Sequence, residues 1–239
     1  MSMICNRIGR SVSIWALVAV TAFVCNGLVS AQEGRPKVMA KIIRAAKKLP
    51  TFNNADFYTA DGKFNEEAAK KAYFELMEYY NYPINDTTRK NLFVSDMGLG
   101  KFTEVGLAVV IQVNEKEANY AALEIFLLPN QMIPEHWHVA IPEDGVKEKM
   151  ESWVVRYGTT FTYGVGEPTE KLSVTIPECQ KDCVTVRNEL QLKPGEFTGI
   201  KKALDKHWQM AGPEGVILTE VATYHDGKAV RFTDSRIKF

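Results

Sequence analysis

From Leu92 onward the chain is a succession of short β-rich runs, each closed off by Gly, Pro, Asn or Asp. The runs are Gly106–Val113, Ala121–Leu128, Ser152–Tyr163, Leu172–Ile176 and Gly215–Thr223. β-Branched and aromatic residues fit a pleated, half-buried surface. Turn residues at this spacing point to a sandwich or barrel. Gly164, Gly166 and Pro168 form one such turn. No run leads into a helix through a glycine-rich phosphate loop, which argues against a nucleotide or dinucleotide enzyme. The expected fold class is mainly β, with one all-β domain over residues 93–239.

Residues 32–92 read instead as a helical extension. Lys37 to Lys48 carries Val38, Ile42, Ile43 and Ala46 at helical spacing, and Pro50 ends that run. A second helix is expected after Asn65, whose side chain can cap it, with Glu66 and Glu67 in the first turn. Its apolar stripe is Ala69, Ala72, Tyr73, Leu76 and Tyr80, and Asn81-Tyr-Pro83 stops it.

The first 31 residues have another texture. Arg7 and Arg10 precede an apolar run from about Val12 to Cys25, and small residues follow as far as Ala31. This order is that of a secretory signal peptide cleaved after Ala31. An uncleaved anchor is the alternative, but the run falls short of the roughly 20 residues that span a bilayer. No later segment is apolar enough to do so. The expected protein is therefore exported, periplasmic or secreted, with no stable membrane span after cleavage. The whole chain balances 29 basic against 29 acidic residues. That balance does not suit a nucleic-acid partner, which favours a basic surplus. Cys179 and Cys183 survive cleavage and are expected as a disulfide outside the cytoplasm, with two free thiols as the alternative.

The residues with chemistry are the four histidines His136, His138, His207 and His225. Alternate residues of a strand face one side, so His136 and His138 can aim both imidazoles at one point. Glu151, at the head of the next strand, can add a carboxylate, and His207 begins a later segment. Three imidazoles and a carboxylate suit a divalent transition metal. A bare His-x-His pair also occurs on polar strand faces, so the reading depends on the fold bringing Glu151 and His207 to it. His225, in the turn Tyr224-His-Asp-Gly227, reads as a loop histidine without a role. Trp153 and Trp208 read as barrel packing, and Trp137 as a candidate pocket wall.

A longer set of motifs adds to this. Leu92-Phe-Val-Ser-Asp-Met-Gly-Leu-Gly100, Pro134-Glu-His-Trp-His138, Glu151-Ser-Trp-Val-Val-Arg-Tyr-Gly158, Leu192-Lys-Pro-Gly-Glu196, Lys206-His-Trp-Gln-Met-Ala-Gly-Pro-Glu-Gly215 and Phe232-Thr-Asp-Ser-Arg-Ile237 stand in that order. Over about residues 65–239 the chain resembles the D-lyxose isomerases. The resemblance implies a cupin-type β-barrel, or jelly roll, and a homodimer. It implies a metal site of His136, His138, Glu151 and His207, typically holding Mn²⁺, with Zn²⁺, Fe²⁺ or Co²⁺ as alternatives. It also implies aldose–ketose isomerisation of a small sugar near D-lyxose or D-mannose. That chemistry needs a base beside C1 and C2. Glu220, in Leu218-Thr-Glu-Val-Ala-Thr223, matches the family pattern. Lys149, Arg231 and Arg236 are the expected substrate-binding residues. The chain departs from the pattern at Leu123, where the family usually places a lysine that points into the sugar site. A cupin oxygenase with the same ligands, or a sugar-binding cupin without catalysis, are the alternative readings.

Overall fold

A computed structural model describes residues 48–239. The expected export signal over 1–31 and the expected helix from Lys37, apart from Lys48, lie outside the described residues. Among the described residues no helix is long and apolar enough to cross a membrane.

A 3-10 turn, Asn54–Phe57, leads into α1 (Glu66–Tyr79) and α2 (Asp86–Asn91). The Asn65 side chain accepts from Ala68 N–H, so the expected cap is present. Helix α1 buries Ala69, Ala72, Tyr73, Leu76 and Met77. These residues share one apolar cluster with Phe126 and Ile217 of the sheet. Helices and barrel thus have a common core. Full burial of a leucine such as Leu76 is worth about 1.5–3 kcal/mol.

The strands are β1 (Phe93–Ser95), β2 (Leu107–Glu115), β3 (Tyr120–Leu127), β4 (Met132–His138), β5 (Glu151–Gly164), β6 (Asn188–Leu192), β7 (Phe197–Gly199), β8 (His207–Ala222) and β9 (Val230–Phe232). All the pairings between these strands are antiparallel. The order β1-β2-β3-β8-β4-β9 runs across the sheet, and β5 pairs with β6, β7 and β8. The mainly β, cupin-type barrel expected from the sequence is what forms.

Two expectations are corrected. His207 and Glu220 lie on one strand, β8, not on successive segments. The expected run starts only at Gly215, but the strand continues back to His207, and Gly212, Pro213 and Gly215 make a corner in it. At about 3.3 Å per residue, a straight strand would hold His207 and Glu220 some 43 Å apart. Both nevertheless reach the same carboxylate neighbourhood, so β8 doubles back with β5 alongside it. The hinge is built from facing glycines: Gly158 has φ 75° and Gly215 φ 73°. A Cβ on Gly158 would sit 2.0 Å from the Gly215 carbonyl oxygen, so no side chain fits there. Leu172–Ile176 is not a strand. Leu172, Val174 and Ile176 still pack on Trp208 and Tyr163. The Ser173 N–H, however, donates to the Glu189 carboxylate instead of a ladder carbonyl. Apolar alternation there reports one-sided packing without a pairing partner.

Cys179 and Cys183 are free thiols on one 3-10 turn, Glu178–Cys183. The expected disulfide does not form. Arg236 occupies this corner and donates to the Cys179 carbonyl.

Candidate metal centre and cavity

Strand β4 supplies His136 and His138 on one face, as its alternation requires. His136 stands opposite His207 of β8 on one side and Phe232 of β9 on the other. Glu151 opens β5, opposite Ala222 at the far end of β8. The doubled-back β8–β5 pair carries Glu151 over to His207. Candidate ligand atoms of His136, His138, Glu151 and His207 all lie within 4.8 Å of one another. His207 Nε2 is 2.8 Å and His138 Nε2 3.2 Å from Glu151 Oε1. These close approaches leave His138 Nε2 and Glu151 Oε1 buried without a hydrogen-bond partner.

Backbone contacts set the tautomers of the other two rings. His136 Nδ1 lies 2.8 Å from the Pro134 carbonyl and His207 Nδ1 3.0 Å from the Asp205 carbonyl. An Nδ1–H on each ring donates to that carbonyl and leaves the Nε2 lone pair facing inward. Lone pairs crowded against a carboxylate oxygen repel unless a proton or a cation sits among them. The donor set, buried and orphaned at its centre, fits a divalent metal ion.

Charge around the centre follows from burial and neighbours. Burial holds His136 well below its usual pKa, aided by His207 and His138, so its ring is neutral and free to ligate. Burial also lowers His138, only partly opposed by Glu151. Burial would lower His207 too, but Glu151 outweighs it and the net shift is upward. Burial alone would raise Glu151, yet Lys149, His207 and His138 hold it well below the carboxylate range.

Lys149 Nζ is 2.7 Å from Glu151 Oε2 and also pairs with Glu220. Burial opposes its charge, but the two carboxylates keep its pKa raised. Glu220 is raised by burial ahead of the opposing pull of Lys149. Across the ladder, Leu123 stands on one side of Glu220 and Trp153 on the other. All these residues line one cavity of about 740 Å³.

Of the residues expected to bind substrate, only Lys149 faces the cavity. Arg231 is a correction: it lies opposite Trp137, and the period of two turns both outward while Val230 and Phe232 turn in. Its guanidinium donates to the Lys228 and Val230 carbonyls. Arg236 is a second correction, because it binds Asp234 and the Cys179 carbonyl away from the cavity. Trp137 likewise leaves the pocket wall, and Lys206 Nζ sits 4.8 Å above its ring.

Other residues enter unannounced. Gln209 lines the cavity, two residues along from His207, where strand alternation would have placed it. Trp153 stacks on the His207 ring at 5.6 Å. His225 lines the cavity as well, its ring 6.3 Å from His138, with burial pushing its pKa down to about 3. Asn114 clamps the His225 backbone at both its N–H and its carbonyl. Nothing in a turn sequence announces that. Glu135, on the outer face of β4, accepts from Thr185, Val186 and Thr233 and ties two loops to the ligand strand.

The D-lyxose isomerase family profile matches residues 86–239. The chain belongs to the D-lyxose isomerase family. It is 36% identical over 173 residues to the D-lyxose/D-mannose isomerase of Thermosediminibacter oceani, covering 72% of this chain and 92% of that one. It is 34% identical to the D-lyxose ketol-isomerase of a Thermofilum species, over 72% and 93% of the two chains. Among solved structures, the unliganded L-ribose isomerase of Cellulomonas parahominis superposes with a TM-score of 0.57 at 14% identity, covering 76% of this chain and 95% of that one. At that identity the likeness is one of fold. The isomerase family and the cupin-type barrel therefore agree. In this D-lyxose isomerase family member the histidine strand and the Lys149–Glu220 pair converge on one cavity.

Proposed function

We propose that the protein is a divalent-metal-dependent aldose–ketose isomerase that interconverts D-lyxose and D-xylulose and also accepts D-mannose. The observation that carries this is the meeting of His136, His138, Glu151 and His207 with the Lys149–Glu220 pair in one cavity. Those four residues would hold the ion; the mixed imidazole–carboxylate set suits a divalent transition metal, and Mn²⁺ is the ion the family resemblance implies. When bound, the ion supplies Lewis-acid stabilisation of charge on the sugar's O1 and O2. Glu220 takes the proton from C2 and returns it to C1, so an enediol lies between aldose and ketose. Burial makes that carboxylate a stronger base than an exposed one. Lys149 keeps Glu220 in place and donates a hydrogen bond to the oxygen that gains charge. Gln209, whose Oε1 is buried and without a partner, accepts from a sugar hydroxyl.

The test is turnover and exchange together. Mn²⁺-loaded protein is expected to form D-xylulose from D-lyxose and, in D₂O, to place deuterium at C2 of recovered D-lyxose. Absence of both removes the isomerase reading. Consumption of O₂ with sugar would point to the oxygenase alternative.

The proposal extends to an exported, homodimeric protein. Arg7, Arg10, the apolar run to Cys25 and the small residues before Ala31 support export. N-terminal sequencing of protein recovered outside the cytoplasm is expected to begin near Gln32, and a start at Met1 would overturn it. A monomeric mass in solution would remove the dimer.

A further inference from the structure

The cavity is larger than its chemistry requires. Four ligands, one base and one lysine gather in one region of it, yet the space is about 740 Å³. That is well inside the roughly 300–1,000 Å³ typical of sites for drug-sized ligands. A free pentose or hexose is much smaller than such ligands.

The surplus has a direction. Phe232 stands opposite His136 in the β4–β9 ladder, and its ring centroid is 5.8 Å from the imidazole. Phe239 lies 5.7 Å beyond Phe232, and Phe93 lies 5.8 Å beyond Phe239. The rings form a continuous aromatic track from a metal-ligand histidine to the surface. All three phenylalanines line the same cavity, with Asn91 beside Phe93. Phe93 is 50% exposed and Phe239 48% exposed. Neighbouring aromatics left half in water at the mouth of a cavity form a contiguous apolar patch that a ligand can cover. A pyranose ring has one apolar C–H face and a polar edge, so it lies flat on a phenyl ring and turns its hydroxyls to solvent or to Asn91.

We propose that this track is a second sugar subsite, and that the substrates include reducing disaccharides. The reducing aldose would sit at the metal centre, and the glycosyl unit would stack on Phe239 and Phe93. This rests on the isomerase reading and extends its substrate class. The linkage must leave C1 and C2 free, as a 1,4 bond does. The step balances without any co-reactant: the C2–H bond breaks, a C1–H bond forms, the O2 proton passes to O1, and the glycosidic bond is untouched. Binding energy from the unreacting ring serves to hold the reacting one.

The experiment compares D-mannose with β-1,4-mannobiose on Mn²⁺-loaded protein, unmodified and as Phe239→Ala and Phe93→Ala. Both rings are half exposed, so neither change opens a cavity in the core. The disaccharide is expected to have a kcat/KM about tenfold above that of mannose. Either variant should lose that advantage, roughly tenfold on mannobiose and less than twofold on mannose. A second readout is calorimetric binding of mannobiitol, whose reduced end cannot isomerise. Turnover of mannose without preference for mannobiose, and without mannobiitol binding, overturns the subsite and leaves the isomerase reading standing. Phe239-dependent mannobiitol binding without turnover of any aldose supports the subsite and overturns the isomerase. If the two rings instead meet a second copy of the chain, the variants change the assembly mass and the disaccharide preference is absent, which also overturns the subsite.

Discussion

His138→Ala is expected to empty the metal centre and abolish isomerisation while the barrel stays folded. His138 is one of two imidazoles presented by a single strand, and it reaches Glu151 at 3.2 Å. Its Nε2 has no hydrogen-bond partner in the protein, so removing it breaks no network on which folding depends. The remaining His136, His207 and Glu151 offer one donor fewer, too few to keep the ion through dialysis. Elemental analysis after dialysis is the direct measure, and circular dichroism with thermal unfolding reports the fold. Loss of turnover in the range of detection should accompany loss of metal. Full occupancy in the variant would refute the assignment of His138 as a ligand.

The same centre gives a pH dependence in the unmodified protein. Metal binding requires His207 with an open Nε2, but Glu151 raises its pKa above the usual histidine value. Protons therefore compete for this ligand up to a higher pH than for an ordinary histidine. Metal affinity should fall as pH drops through that raised value and level off above it. Glu151, held well below the carboxylate range, stays ionised throughout that window and does not contribute to the fall.

Much of this was legible in the residues because local rules agree with the global fold. Asn65 caps α1 and the stripe from Ala69 to Leu76 faces the core, as spacing alone requires. The His136/His138 pair shares a face because strands alternate. What failed did so where tertiary pairing overrides local pattern. The run expected from Gly215 to Thr223 is only half of β8: the ladder to β5 resumes on the other side of Gly212, Pro213 and Gly215, and the corner they make joins Glu151 to His207. Arg231 was misplaced because its facing depends on the register of β9 against His138, which no local signal fixes. Leu172–Ile176 has the alternation of a strand, but its Ser173 N–H bonds the Glu189 carboxylate in place of a ladder carbonyl. His225 sits in a turn and enters the cavity only because Asn114, more than a hundred residues earlier, clamps it there. The resemblance placed Glu151 and His207 with the histidine pair; spacing alone left that to the fold.

Glu220→Gln is expected to lower kcat by about 10²–10⁴-fold, the usual contribution of a positioned base, with metal content unchanged. The substitution keeps the side chain's size and an oxygen that Lys149 can still bond, so the cavity keeps its shape. It removes the negative charge and the basicity. Glu220 is not among the clustered ligands, which separates this outcome from that of His138→Ala. The charge balance around Lys149 gives the variant a second signature. In the unmodified protein Lys149 sits between two carboxylates, and its pKa is raised by both. With Glu220 neutral, Lys149 is left to Glu151 alone, and the ammonium loses part of its compensation in a buried site. A moderate loss of thermal stability should therefore accompany the loss of rate. Deuterium exchange at C2 of D-lyxose reads the base directly. It should fall in parallel with kcat if Glu220 removes that proton. Undiminished exchange in Glu220→Gln would move the base elsewhere in the cavity, with His225 the next titratable group to examine, since its ring lines the same wall and burial keeps it neutral.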